Sequence, residues 1–264
     1  MEFLNSLYKD NSYREAIQYI QTARRTGSTH LDISGSKLVE LPVSIAELTQ
    51  LNSLNLSVNQ LTTLPEQLGK LINLNSLNIG VNKFTTLPAS IKQLTNLTEL
   101  SIENNPLTIL PEWLSQLRHL KFLDLSALHL EQAPHWLEQL KDLKELILND
   151  NQLADIPIFL SKLDHLEIIR LDKNPLNPEL SAAHHQGVQA VRAYIRAKAD
   201  SVTLNEAKLI IIGEGEVGKS CLLGALRGDP WEDGRPTTHG IEIKPIKVMN
   251  SDTNINRTYA KLSD

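Results

Sequence analysis

Residues 51–71 read Leu51-Asn-Ser-Leu54-Asn-Leu56-Ser-Val-Asn59-Gln-Leu61-Thr-Thr-Leu64-Pro65-Glu-Gln-Leu68-Gly-Lys-Leu71, and this stretch decides the fold because it recurs. Pro42, Pro65, Pro88, Pro111, Pro134 and Pro157 stand 23 residues apart, as do Leu51, Leu74, Leu97, Leu120, Leu143 and Leu166, and no gap is needed to hold the phase. A third column runs Ser36, Asn59, Asn82, Asn105, Leu128, Asn151 and Asn174, which makes seven strand positions in all.

Each column has a physical reason. Leu54-x-Leu56 alternates with period 2, so it predicts a short strand with its leucines inward and Ser53, Asn55 and Ser57 outward. Identical units then stack in parallel. The Asn side chain both donates and accepts, so stacked copies can hydrogen-bond the turn that leaves each strand and form a ladder. Proline ahead of Pro-x-x-Leu-x-x-Leu suits the first turn of a short helical or 3₁₀ segment on the convex side, where no backbone donor is required. One unit cannot bury its apolar face alone, so neighbours supply the stability and both ends need caps. The pattern resembles the leucine-rich repeat family, which implies a solenoid of about seven repeats.

Both caps are legible. Tyr13 to Arg24 places Ala16, Ile17, Ile20 and Ala23 on one helical face, which predicts an N-terminal capping helix within residues 1–28. The solenoid is expected over 29–180. After Asn174 the proline column fails, with Leu180 in its place, and Gly187 to Lys198 carries Val188, Val191 and Ile195 at helical spacing. A cap and connector helix is therefore expected within 181–200.

Composition narrows the class. The chain has 264 residues, 41% hydrophobic and 22% charged, which fits a globular protein with room for more than one domain. A formal charge of −5 gives no support for nucleic acid as a partner. One cysteine, Cys221, excludes an intrachain disulfide framework; the start MEFLNSLYKD lacks a signal-like apolar region, and no apolar run approaches a membrane span. A soluble, cytoplasmic protein is expected.

A second signal begins near residue 201. The β-branched run Lys208-Leu-Ile-Ile-Ile212 enters Gly213-Glu214-Gly215-Glu216-Val217-Gly218-Lys219-Ser220, and the helix-like Cys221 to Arg227 follows. Strand, loop and helix come in the order of a phosphate-binding loop. Its glycines let backbone N–H groups turn inward around a phosphate at a helix N-terminus; Lys219 would reach the β and γ phosphates and Ser220 would ligate Mg²⁺. Glu214 and Glu216 would point to solvent, since carboxylates facing phosphates repel them.

Downstream, Arg235-Pro-Thr-Thr238-His-Gly-Ile241 resembles the first switch segment of small GTPase-like domains, which makes Thr238 the matching Mg²⁺ and γ-phosphate residue, with Thr237 as the alternative. Taken together, 23-residue repeats, GVQAVRAYIRA, KLIIIGEGEVGKS and TTHGIEI resemble the ROCO proteins, in which leucine-rich repeats precede a Roc GTPase domain and a dimerising COR domain. The resemblance implies GTP or GDP with Mg²⁺ as ligand and a GTP-dependent regulatory role. It is incomplete over 201–264: no Asp-x-x-Gly, no Asn-Lys-x-Asp and no COR follow, so a partial GTPase domain that does not hydrolyse GTP by itself is expected. The chain is then a ROCO-like regulator, a repeat-based interaction protein with a vestigial loop, or an ATP-binding P-loop protein of another class.

Two repeat surfaces are candidates for a protein partner. Outward strand positions include Glu99, Glu103, Phe122, Asp124, Glu145, Asp150 and Asp172, opposed by Arg170 and Lys173, so the strip favours a basic partner segment unless it is simply a solvated polar face. Repeat five is irregular there, with Leu128 in the Asn column and Ala133 before proline. On the convex side Trp113, Trp136 and Phe159 follow Ser44, Gln67 and Ser90 in one column, either as an exposed aromatic strip or as a cover for the array's own core. The histidines suggest no metal site, and no catalytic residues can be assigned.

Overall fold

The chain divides after Leu204 into two units, Met1–Leu204 and Asn205–Asp264, and the computed structural model describes residues 11–204. Seven three-residue strands form one parallel sheet in chain order: β1 His30–Asp32, β2 Ser53–Asn55, β3 Ser76–Asn78, β4 Glu99–Ser101, β5 Phe122–Asp124, β6 Glu145–Ile147 and β7 Ile168–Arg170. Repeats are numbered by their strand. Leu31, Leu54, Leu77, Leu100, Leu123, Leu146 and Ile169 pair in register, as an uninterrupted 23-residue period requires.

The convex side is 3₁₀ throughout: η1 Val43–Glu47, η2 Glu66–Lys70, η3 Ala89–Gln93, η4 Glu112–Gln116, η5 His135–Gln139 and η6 Ile158–Lys162. Each column proline sits one place earlier than expected, as the N-cap, with φ between −58° and −76° and an extended ψ. Its carbonyl accepts the bond that closes the first turn, as in Leu68 N to Pro65 O at 3.0 Å. Leucine or isoleucine at the third position and leucine at the sixth after each column proline drop into the core, where Leu68 and Leu71 are fully buried. Phe84 takes a place that Leu38, Leu61 and Leu153 fill elsewhere and is itself fully buried.

The ladder is present. Asn59, Asn82, Asn105, Asn151 and Asn174 each donate from Nδ2 to a carbonyl of their own repeat and to one of the preceding repeat, for example Asn82 to Ile79 O and Leu56 O, both at 3.0 Å. The residue before each column position has a positive φ: Gly35, Val58, Val81, Asn104, Ala127, Asp150 and Lys173. In the first six the amide reaches the next repeat, as Val58 N reaches Gly80 O at 3.0 Å, so the left-handed turn is needed for pairing. For a β-branched residue that turn is strained. Val58, exposed at φ 56°, is therefore expected to gain about 1 kcal/mol of stability as Val58→Gly, read from the urea midpoint. A lower midpoint would mean that the valine side chain contributes more than its backbone costs.

The N-terminal cap is α1, Asn11–Thr26, which buries Tyr13, Ala16, Ile20 and Ala23. Ile17, expected on that face, is half-buried, and Tyr13 takes the place one turn earlier. At Gly27, φ +66°, the chain turns out of the helix, and Ser28 N bonds Ala23 O at 2.9 Å.

The C-terminal cap has two helices where one was expected: α2 Pro178–Gln186 and α3 Val188–Leu204. Asn177 caps α2 by accepting from Leu180 N at 2.9 Å, and Pro178 occupies the first turn. Leu180, in the lapsed proline column, is fully buried, and His184 Nε2 accepts from Leu171 N at 3.2 Å beside β7. Helix α3 runs past residue 200 and is anchored to the last repeats. Arg192 donates to Leu163 O, Asp164 O and Leu166 O at 3.0, 2.9 and 2.6 Å, and Lys198 pairs with Asp155. Among the described residues no helix is long and apolar enough to cross a membrane.

Candidate functional site: the concave sheet face

Three side-chain columns line the concave face. The first is His30, Ser53, Ser76, Glu99, Phe122, Glu145 and Ile168, and the second is Asp32, Asn55, Asn78, Ser101, Asp124, Ile147 and Arg170. The third, two residues further on, includes Ser57, Gly80, Glu103, Ser126, Asn149 and Asp172, whose carbonyls accept the strand-exit bonds. Carboxylates gather in the middle. Glu99, Phe122 and Glu145 are in register across β4, β5 and β6, about 4.8 Å from strand to strand, so the ring has a carboxylate on either side. Asp124 lies on the same face of β5, two positions beyond the ring.

The second column has a structural duty that composition does not reveal. Asp32, Asn55, Asn78 and Asp124 each accept from the backbone N–H two residues on, at 2.8 to 3.1 Å. These side chains close the strand exit as Asx turns. Ser126 Oγ also donates to Asp124 at 2.6 Å. Asp32 shows the balance: burial alone raises its pKa, but hydrogen bonds from Ser34 and Asn55 outweigh that and hold it below the ordinary value.

Glu103 behaves differently. It is half-buried, accepts from Ser101 Oγ, and lies over Gly80 so closely that a Cβ there would overlap its carboxylate. Burial, then the Asp124 carboxylate, push its pKa above the ordinary 4.5. The native chain thus holds this proton more tightly than the unfolded one. Stability falls as pH rises from 4.5 through the raised native value, and the penalty is fully present above it. Glu103→Gln is accordingly expected to raise the thermal midpoint at pH 7, with the gain vanishing below pH 4.5. A pH-independent difference would remove the charge explanation.

The structure brings together Glu99, Glu103, Phe122, Asp124 and Glu145. Phe122, expected to be exposed, is half-buried between the flanking strands. Asp150 does not join them: it is the left-handed residue of repeat six and pairs with Lys173 at 3.1 Å. The convex aromatics form no exposed strip. Trp136 is 6% exposed, and Trp113 and Phe159 pack half-buried against the core, because large rings beside a short 3₁₀ turn cover leucines rather than project. Gly213 to Ser220, Cys221 and Thr238 lie outside the described residues. Among the described residues no three His, Cys, Asp or Glu side chains are grouped to hold a metal ion.

Sequence models described as leucine rich repeat match residues 50–71 and 72–130. Among solved structures, a leucine-rich repeat protein of Leptospira interrogans is 39% identical at TM-score 0.50, covering 53% of this chain and 36% of that one. An internalin of Listeria monocytogenes is 25% identical at TM-score 0.54, covering 64% and 51%. TLR13, in its complex with ssRNA13, is 29% identical at TM-score 0.53, covering 62% and 24%. One curated relative, the Ras-related protein Rab-1D of Dictyostelium discoideum, is 44% identical over 45 residues, which is 17% of this chain and 22% of Rab-1D. The chain thus spans about half or less of each relative. The array is a solenoid of leucine-rich repeats.

Proposed function

We propose that this chain of leucine-rich repeats is a protein-interaction scaffold whose concave face, from β4 to β6, docks an extended basic segment of a partner protein. The observation that carries this reading is the in-register row Glu99, Phe122, Glu145, with Asp124 and Glu103 beside it. An aromatic ring flanked by carboxylates offers an arginine both a π face and counter-charges. The same carboxylates argue against a nucleic-acid ligand of the kind bound by TLR13, because they would repel a phosphate backbone.

The test is fluorescence anisotropy of the full chain with a labelled arginine-rich peptide, against an acidic peptide and single-stranded RNA. Binding of the basic peptide is expected, weakened by salt and reduced about tenfold or more by the double change Glu99→Lys, Glu145→Lys. Equal binding by the charge-reversed chain would overturn this reading.

The finer reading adds a nucleotide. Gly213-x-x-x-x-Gly218-Lys219-Ser220 after a β-branched run, with Thr238 downstream, supports a guanine-nucleotide segment of ROCO type that holds GTP or GDP with Mg²⁺. The likeness to a Ras-related protein favours guanine over adenine. In this reading Lys219 reaches the phosphates while Ser220 and Thr238 face the metal. Titration with fluorescent GDP and ATP, with and without Mg²⁺, separates it from a vestigial loop, which binds neither. A Lys219→Ala chain that binds GDP as tightly as the parent would place the nucleotide elsewhere.

A further inference from the structure

Consecutive repeats are joined along two lines: strand pairing on the concave side, and a set of bonds on the flank where the chain descends from the Asn column towards proline. On the flank, the Asn Oδ1 of one repeat accepts an amide of the repeat before. Leu38 N reaches Asn59, Leu61 N reaches Asn82, Phe84 N reaches Asn105, Leu130 N reaches Asn151 and Leu153 N reaches Asn174, all at 2.9 to 3.1 Å. The Asn Nδ2 returns a bond to Ile33, Leu56, Ile79, Leu125 and Leu148 carbonyls of the preceding repeat. Direct backbone bonds reinforce all five of these junctions further down the flank, as in Gln60 N to Leu38 O and Gln152 N to Leu130 O, both at 2.8 Å.

The junction between repeats four and five has none of these flank bonds. Leu128 has no side-chain amide to accept from Leu107 N or donate to Ile102 O, so Leu107 N turns back to Asn105 O of its own repeat at 2.8 Å, and Ile102 O receives only its own Asn105. No backbone bond crosses the flank here either. Packing follows the same pattern independently. In the column Leu38, Leu61, Phe84, Leu107, Leu130, Leu153, the members on either side of this junction, Leu107 and Leu130, are the two that are not fully buried. Leu110 is half-buried, its counterpart in repeat five is shortened to Ala133, and Ile109 beside it is 71% exposed. The strand side is intact: Phe122 N bonds Thr98 O at 3.0 Å, Ile102 N bonds Asp124 O at 3.1 Å and Asn104 N bonds Ser126 O at 2.9 Å.

We propose that the junction of repeats four and five is a built-in hinge: its flank opens while β4 and β5 stay paired, so that repeats one to four and repeats five to seven change their mutual curvature there. A solenoid's stability is a sum of nearest-neighbour interfaces, and the interface stripped of flank bonds and of a packed leucine is the one that opens first. The hinge line runs beneath the concave cluster. Glu99 and Glu103 belong to one block, and Phe122, Asp124 and Glu145 to the other. Flexing therefore changes the spacing of those carboxylates while leaving each strand pair formed. The hinge itself stands on the bonding pattern and not on the identity of any ligand.

Native-state amide hydrogen exchange on the full chain, resolved by residue, tests the hinge. Leu107 is expected to exchange at least about tenfold faster than Leu61 and Leu153, while Phe122 and Asn104 at the paired strands remain protected. Leu128→Asn supplies the missing amide and is expected to bring Leu107 to within about threefold of Leu61. If that chain does not fold, Ala133→Leu, which refills the flank, should slow the same Leu107 amide. Equal protection of Leu107, Leu61 and Leu153 in the parent would overturn the proposal. So would a folded Leu128→Asn chain in which Leu107 exchanges as fast as before.

Discussion

Replacing Phe84 with alanine is expected to lower the unfolding free energy by about 3–5 kcal/mol, the largest effect of any single change in the array. Phe84 is fully buried and is the one aromatic in a column otherwise made of leucine. Its removal leaves a cavity that strands and 3₁₀ turns, fixed by their neighbours, cannot close. The loss has two parts, the apolar transfer of the ring and the void it leaves. Phe84→Leu restores the residue found at Leu38 and Leu61 and is expected to cost far less, about 1 kcal/mol. Urea unfolding followed by circular dichroism measures both. A loss below about 1 kcal/mol for the alanine would mean that the neighbouring repeats collapse into the space.

Asn82→Ala is expected to cost about 2–4 kcal/mol, although it removes little apolar surface. Asn82 is 7% exposed and bonds in four directions: Nδ2 to Leu56 O, Ile79 O and Gly80 O at 3.0, 3.0 and 3.1 Å, and Oδ1 from Leu61 N at 3.0 Å. Alanine strands the Leu61 amide and weakens the carbonyls inside the array, and each buried group left unpaired costs about 1–3 kcal/mol. Repeat five shows how such a gap is accommodated. Where Leu128 replaces Asn, the chain takes a second left-handed residue, His129 at φ 57°, and repeat one does the same at Lys37 after Ser36. Both repeats bend the backbone where the amide is missing. A stability loss under about 1 kcal/mol for Asn82→Ala would show that this detour is cheap.

The fold was largely legible because its specification is periodic. A gapless 23-residue repeat fixes strand register residue by residue, so Leu54 had to face Leu77. The Asn ladder followed from side-chain chemistry, and α1 from its buried face. The second C-terminal helix has a local start signal in Asn177-Pro-Glu-Leu180, but it falls where the proline column lapses at Leu180, so the repeat period does not mark it. The candidate site was half legible. Its carboxylates could be counted along the strands, but Asp150 left the set through a left-handed turn and Trp136 through burial.

What the sequence by itself determined is the order and register of the array: inward leucines, ladder asparagines and capped ends, all set by contacts that repeat at constant spacing. Tertiary structure alone decided which outward residues are free. Asp124 and Asn55 are held by strand-exit amides, Glu103 lies down because its neighbour at Gly80 has no side chain, and one junction lacks its flank bonds because repeat five carries Leu128 in the Asn column. The physical reason is that a period specifies the average neighbour, whereas exposure, protonation and flexibility depend on the particular side chain in the next repeat.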